Sequence, residues 1–143
     1  MLSRRLAAAV DALGLRPGLR VLEIGCGPGA AAREVARRVG PDGFVLGVDR
    51  SSRAVSAARR AADADGIGSH RLDFDCSAVE EFELGERVPF DVAFALRVGA
   101  LDGRHPGLYD AAVRAVTRAL RPGGVLLVDG GDPLRRIELP TDH

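Results

Sequence analysis

Strands that alternate with helices predict a doubly wound α/β fold, with a mostly parallel sheet held between two helical layers. Three observations carry this expectation. Short apolar runs at 20–24, 44–49, 67–74, 89–96 and 125–129 are separated by stretches of helical periodicity. The runs Val21-Leu22-Glu23-Ile24 and Phe44-Val45-Leu46-Gly47-Val48 are almost wholly apolar, as in strands covered on both faces. The first run leads into Gly25-Cys26-Gly27-Pro28-Gly29, where glycines at alternate positions let the backbone turn tightly and a ligand approach it closely.

Taken in order, Leu2, Leu6, Ala9, Val10 and Leu13 recur at helical spacing and predict a helix over 3–13. Gly14 stops it, and Arg16-Pro17-Gly18 makes a turn into the first strand at 20–24. A helix over 29–39 follows, with Ala32, Val35, Ala36 and Val39 on its inner face. After Gly40-Pro41-Asp42-Gly43 comes the second strand, 44–49. Ser51 or Ser52 caps the next helix, which reaches about Ala64.

Residues 67–74 read as a weaker strand at the sheet edge, broken by Gly68 and charged positions, and 77–82 as a short helical turn. The fourth strand covers 89–96, a loop 97–107, and a helix 105–120. Arg121-Pro122-Gly123-Gly124 ends that helix before the fifth strand at 125–129. Residues 137–139 make a short sixth strand. No repeat or linker interrupts the chain, and its 143 residues suit a single domain over 1–143.

The formal net charge is zero, Arg supplies every basic side chain other than His, and the Arg residues are spread along the chain. That argues against a nonspecific nucleic-acid partner. Aromatic residues, at 4 %, are too few for base-stacking platforms. No run is long enough to span a membrane, and residues 1–15 contain no signal-like apolar core. Cys26 and Cys76, the two thiols, are expected to stay free in a reducing cytoplasm. No His/Cys/Asp cluster has metal-ligand spacing, so no metal is expected.

Gly25-Cys26-Gly27-Pro28-Gly29-Ala30 matches the dinucleotide pattern, and Asp49 follows at the distance of a ribose-binding acid. Spacing alone therefore allows an NAD(P)- or flavin-dependent oxidoreductase. Two residues point away from it. Glu23 would face a pyrophosphate unfavourably but suits a ligand carrying an ammonium group, and Pro28 lacks the N–H of a phosphate cradle.

The chain resembles the class I S-adenosylmethionine-dependent methyltransferases, which have a Rossmann-like sheet. The resemblance rests on Val21 to Gly29, Val48-Asp49, Phe90-Asp91-Val92-Ala93-Phe94 and Leu120-Arg121-Pro122-Gly123-Gly124, in that order. It implies S-adenosylmethionine as methyl donor, S-adenosylhomocysteine as product, and methyl transfer to a small-molecule acceptor. It also implies residue roles. Glu23 would lie beneath the methionyl part, with Gly25, Cys26 and Gly27 contacting the cofactor through the backbone. Asp49 would hold both ribose hydroxyls, and Arg50 would flank the adenine. Asp75, with Asp73 as its rival, would take the adenine amino group, and Cys76 would offer its N–H. Ala95, Leu96 and Arg97 would border the methionyl group, with Arg97 also reaching the substrate.

Four of these residues also have a plainer role: Glu23 or Arg97 in a salt bridge, Asp49 or Asp75 as a helix cap. In-line displacement at an already activated sulfonium methyl needs alignment and dehydration more than a catalytic side chain. A base is needed only if the acceptor must lose a proton; His105, Tyr109 and Asp102, in the loop and helix after the fourth strand, are the candidates, and none is assigned a catalytic role. The family's signatures for methylating DNA are absent. The family sheet ends in a hairpin of two strands, whereas the residues after Asp129 hold at most one. The expectation is a shortened C-terminal end and a sheet edge open to homodimerisation. A second class of function is accordingly a cofactor-binding module that is inactive alone or needs a partner subunit.

Overall fold

The computed structural model describes residues 2–140; Met1 and 141–143, which the expected domain 1–143 also includes, lie outside the described residues. Its elements are α1 (Arg4–Ala12), β1 (Arg20–Ile24), α2 (Ala30–Val39), β2 (Phe44–Asp49), α3 (Ser52–Ala64), β3 (Leu72–Cys76), β4 (Phe90–Ala95), α4 (Gly99–Asp102), α5 (Tyr109–Ala119), β5 (Leu120–Asp129) and β6 (Leu134–Ile137). The sheet order is β3-β2-β1-β4-β5-β6. All neighbours are parallel except β5 and β6. The doubly wound fold is as the alternation predicts, and β6 is the one antiparallel strand among the described residues.

Period-two alternation along the central strands splits the core in two. Val21, Val45 and Phe94 face the layer built from α1, α2 and α3. Leu22, Ile24, Leu46, Val48, Ala93 and Ala95 face α5 and the segment at Leu101. Glu23, two residues on from Val21, is therefore on the α2 side of β1. Small residues on α3, Ala58 and Ala62, let that helix lie close to Leu72 and Phe74 of the edge strand β3.

The helix caps follow local chemistry. The Ser3 hydroxyl accepts from the Leu6 N–H and the Ser51 hydroxyl from the Ala54 N–H, which settles the choice of cap for α3 on Ser51.

Four segments differ from expectation. The sixth strand, expected at 137–139, lies earlier, at Leu134–Ile137, because antiparallel pairing with β5 sets Leu134 against Asp129 and Ile137 against Leu126. Residues 67–71 form a turn, in which the Arg71 and Leu72 N–H groups both donate to the Gly68 carbonyl, so β3 starts later and runs to Cys76. Residues 97–107 are not a plain loop: α4 forms because Ala100 and Leu101 are drawn into the core, and the helix expected from 105 begins at Tyr109. Pairing of β5 with β4 begins at Leu120 rather than Val125. Between them Arg121-Pro122-Gly123-Gly124 bulges outward, with Gly123 at φ +84°. Arg121 pairs with Asp91, whose second oxygen accepts the Arg20 N–H at 2.9 Å. The Phe90-Asp91 motif thus ties three strands together at the end of the sheet opposite the glycine turn.

Candidate functional site

The glycine turn lies at the carboxyl end of β1, between β2 and β4, where doubly wound sheets bind ligands. Gly25, Gly27 and Gly29 have φ of +70°, +53° and +85°. A side chain is excluded at Gly25 for a further reason, since a Cβ there would stand 2.7 Å from Val98 Cγ2. The turn is pinned to β2: the Gly25 and Cys26 N–H groups both donate to the Val48 carbonyl, at 2.7 and 3.0 Å. The Gly27 N–H donates to Asp49 Oδ2 at 2.9 Å.

Asp49 Oδ1 accepts the Ser51 N–H, also at 2.9 Å. An ionised carboxylate has about four acceptor positions, so Asp49 can still accept two more hydrogen bonds. Glu23 is only 4 % exposed. Its Oε1 is buried without a hydrogen-bond partner. Burial, and then the negative charge of Asp49, push its carboxyl well above the usual range, against the opposing pull of the Ala32 backbone N–H in the first turn of α2. No ion pair reaches Glu23 among the described residues, so the plainer salt-bridge role has no support.

A cleft of about 310 Å³ opens in front of the turn and brings together Gly25, Asp49, Arg50 and Arg97. Glu23 and Cys26 are buried behind the turn, and Ala95 is buried at the end of β4. Asp75 is not part of the cleft wall; its carboxylate pairs with Arg87 at 3.2 Å. Cys76 is exposed, with its thiol 3.5 Å from the Arg50 carbonyl. The residues that follow, Ser77 and Ala78, line the cleft instead. Leu96 lines a second cavity on the α1 side.

Of the opposite wall, made by Val98, Gly99, Ala100, Arg104 and His105, sequence reasoning named His105 and missed the rest. The His105 ring packs onto Gly99 where a Cβ would sit, and the His105 N–H donates to the Gly99 carbonyl at 3.0 Å. The glycine at 99 was the available signal. Arg97 is the one non-glycine residue at positive φ (+58°) among the described residues. Its N–H donates to Asp129 Oδ2 at 3.1 Å, and its carbonyl accepts from Arg104 at 2.6 Å.

A family model described as a methyltransferase domain matches residues 21–124, from the first buried residue of β1 to the glycines of the β5 bulge. The chain belongs to the class I S-adenosylmethionine-dependent methyltransferase family. It is 37 % identical over 131 residues to the nocamycin O-methyltransferase of Saccharothrix syringae, covering 92 % of this chain and 43 % of that protein. It is 32 % identical over 125 residues to a ubiquinone biosynthesis O-methyltransferase of Bradyrhizobium diazoefficiens, covering 87 % of this chain and 45 % of that one. Among solved structures, a methyltransferase of Geobacter sulfurreducens in complex with S-adenosylhomocysteine superposes with a TM-score of 0.69 at 25 % identity, over 90 % of this chain and 48 % of that one. The [4+2]-cyclase SpnF superposes with a TM-score of 0.67 at 33 % identity, over 84 % of this chain and 43 % of that one. The chain thus spans less than half the length of these relatives.

Proposed function

We propose that this chain binds S-adenosylmethionine across the glycine turn and transfers its methyl group to a small-molecule acceptor. The observation that carries the reading is Glu23. It is a buried carboxyl with an unpartnered oxygen, set beside a second carboxylate and behind a turn that excludes side chains. A ligand with a cationic amino-acid end and a ribose fits this donor and acceptor set; a pyrophosphate does not, because it would add negative charge to Glu23 and Asp49.

The bound cofactor supplies an activated methyl group on sulfur. The protein's own residues do the rest. Asp49 takes the ribose hydroxyls with its free acceptor positions, and Arg50 flanks the adenine. Gly25, Cys26 and Gly27 present backbone to the methionyl part. The Gly25 and Cys26 N–H groups are already used by Val48, so their contribution is shape and carbonyl contact. Asp75 and Cys76 stand at the adenine end, where Ser77 and Ala78 form the cleft wall. Ala95, Leu96 and Arg97 end β4 at the methionyl side. Small-molecule acceptors are supported by the names of the two relatives above, both O-methyltransferases.

No helix among the described residues is long and apolar enough to cross a membrane, and both thiols are free, which fits a reducing compartment such as the cytoplasm. β3 and β6 are the margins of the sheet, and homodimerisation through an edge is part of the proposal. Size-exclusion chromatography with light scattering tests it, and a monomer removes it.

Calorimetry with S-adenosylmethionine, S-adenosylhomocysteine and NAD(P) tests the main reading. Binding of both sulfur compounds and not NAD(P) is expected; binding of NAD(P) alone overturns it. A second reading, a cofactor-binding module that transfers no methyl group by itself, has one observation behind it: the likeness to SpnF, a [4+2]-cyclase. Cofactor binding with no methyl transfer across a broad acceptor panel would favour that binding-module reading.

A further inference from the structure

A second cavity, of about 410 Å³, lies between α1 and the carboxyl ends of β4 and β5. That size suits a small organic ligand. Leu6 and Ala9 of α1, Leu96 after β4 and Leu134 of β6 make it apolar, while Arg5, Arg97 and Asp129 also reach its wall. Arg97 is the one residue shared with the cleft at the glycine turn, so the two spaces meet at its side. Its left-handed backbone is held by Asp129 and Arg104. Asp129 spends Oδ2 on the Arg97 N–H; Oδ1 is buried without a partner. A buried acceptor left unpaired is costly, and a bound donor would satisfy it.

We propose that this cavity is the methyl-acceptor site, that it takes an apolar molecule with a phenolic or enolic hydroxyl, and that Asp129 Oδ1 receives the hydroxyl proton. The inference rests on the methyltransferase reading above. The chemistry follows from the wall. Asp129 Oδ1 needs a donor, which a hydroxyl or an ammonium could supply. Two guanidinium groups against one carboxylate disfavour an ammonium and favour an oxygen that gains negative charge. In the transfer, the acceptor oxygen forms a bond to the methyl carbon as the carbon–sulfur bond breaks. The electron pair of that bond stays on sulfur, and the hydroxyl proton passes to Asp129.

The test is nuclear magnetic resonance of the nitrogen-15-labelled chain saturated with S-adenosylhomocysteine and titrated with phenol, anisole and benzylamine. Phenol should shift the amides of Leu6, Leu96 and Gly130. Anisole, with its hydroxyl blocked, should bind about tenfold more weakly, the worth of one hydrogen bond to a charged group. Benzylamine should bind more weakly than phenol. Asp129→Asn keeps an oxygen for the Arg97 N–H and should lower phenol affinity to the anisole level. Phenol without effect on those amides, anisole equal to phenol, benzylamine tighter than phenol, or Asp129→Asn without effect would each overturn the proposal. Shifts of Gly27 and Asp49 on adding S-adenosylhomocysteine report the cofactor reading separately. Their absence would fail that reading; their presence without a phenol response would fail only this one.

Discussion

The Asp49 carboxylate accepts the Gly27 backbone N–H at 2.9 Å and so ties the end of β2 to the turn after β1. The same side chain holds the Ser51 N–H at the start of α3. One residue thereby fixes both rims of the cleft and keeps acceptor positions free for a ligand.

Asp49→Ala should weaken S-adenosylhomocysteine binding by about 1.5–3 kcal/mol, the range for lost hydrogen bonds to a charged group. Calorimetry measures it directly. Affinity equal to that of the unsubstituted chain would refute the ribose assignment.

Glu23 gives a pH prediction of definite sign. Its folded-state carboxyl is raised well above 4.5 by burial and by Asp49. The folded protein therefore holds this proton more tightly than the unfolded chain does. The associated stability is present below about pH 4.5 and is lost as pH rises through the raised value. Glu23→Gln removes that loss, so the ligand-free variant should melt higher than the parent at pH 8 and show a flatter pH dependence. Its cofactor affinity should fall, because the ammonium group loses its charged partner. In the parent, binding should release protons, seen by calorimetry in buffers of different ionisation enthalpy. Proton uptake, or a variant less stable than the parent at pH 8, would contradict this account.

Gly25→Ala places a Cβ 2.7 Å from Val98 Cγ2 on a backbone at φ +70°. Left-handed strain of this kind costs about 1–3 kcal/mol. The variant should melt lower and bind S-adenosylhomocysteine more weakly, since the turn and the cleft wall must move apart. An unchanged melting temperature would show that the segment at Val98 yields freely.

The two thiols should differ sharply in reactivity. Burial first, then the charges of Glu23 and Asp49, push the Cys26 thiol up to about 12, and its side chain is buried. Cys76 is exposed. Iodoacetamide at pH 8 should label the native chain once, at Cys76, with Cys26 reacting only after denaturation. Peptide mass mapping distinguishes the sites, and rapid labelling of Cys26 in the folded chain would contradict its placement.

Much of the site was legible because its signals are local. An apolar run, a carboxylate, three alternate glycines and an acid at the end of the next apolar run sit within residues 21–49, and strand pairing of β1 with β2 merely brings the two ends together. The elements read less well are those whose form depends on distant partners. Residues 97–107 looked like a loop because the core that draws in Ala100 and Leu101 comes from β4, β5 and α5. The β5 bulge required Asp91, thirty residues away, as a partner for Arg121.

The sequence by itself determined the order of strands and helices, the glycine turn and the two acids around it, because periodicity and backbone chemistry act within a few residues. Only the tertiary structure decided that Glu23 is buried with an unpartnered oxygen and that Asp75 is held by Arg87. It alone set Arg97 in a left-handed conformation against Asp129. Burial and long-range hydrogen bonds set these outcomes, and both depend on which segments the sheet brings side by side.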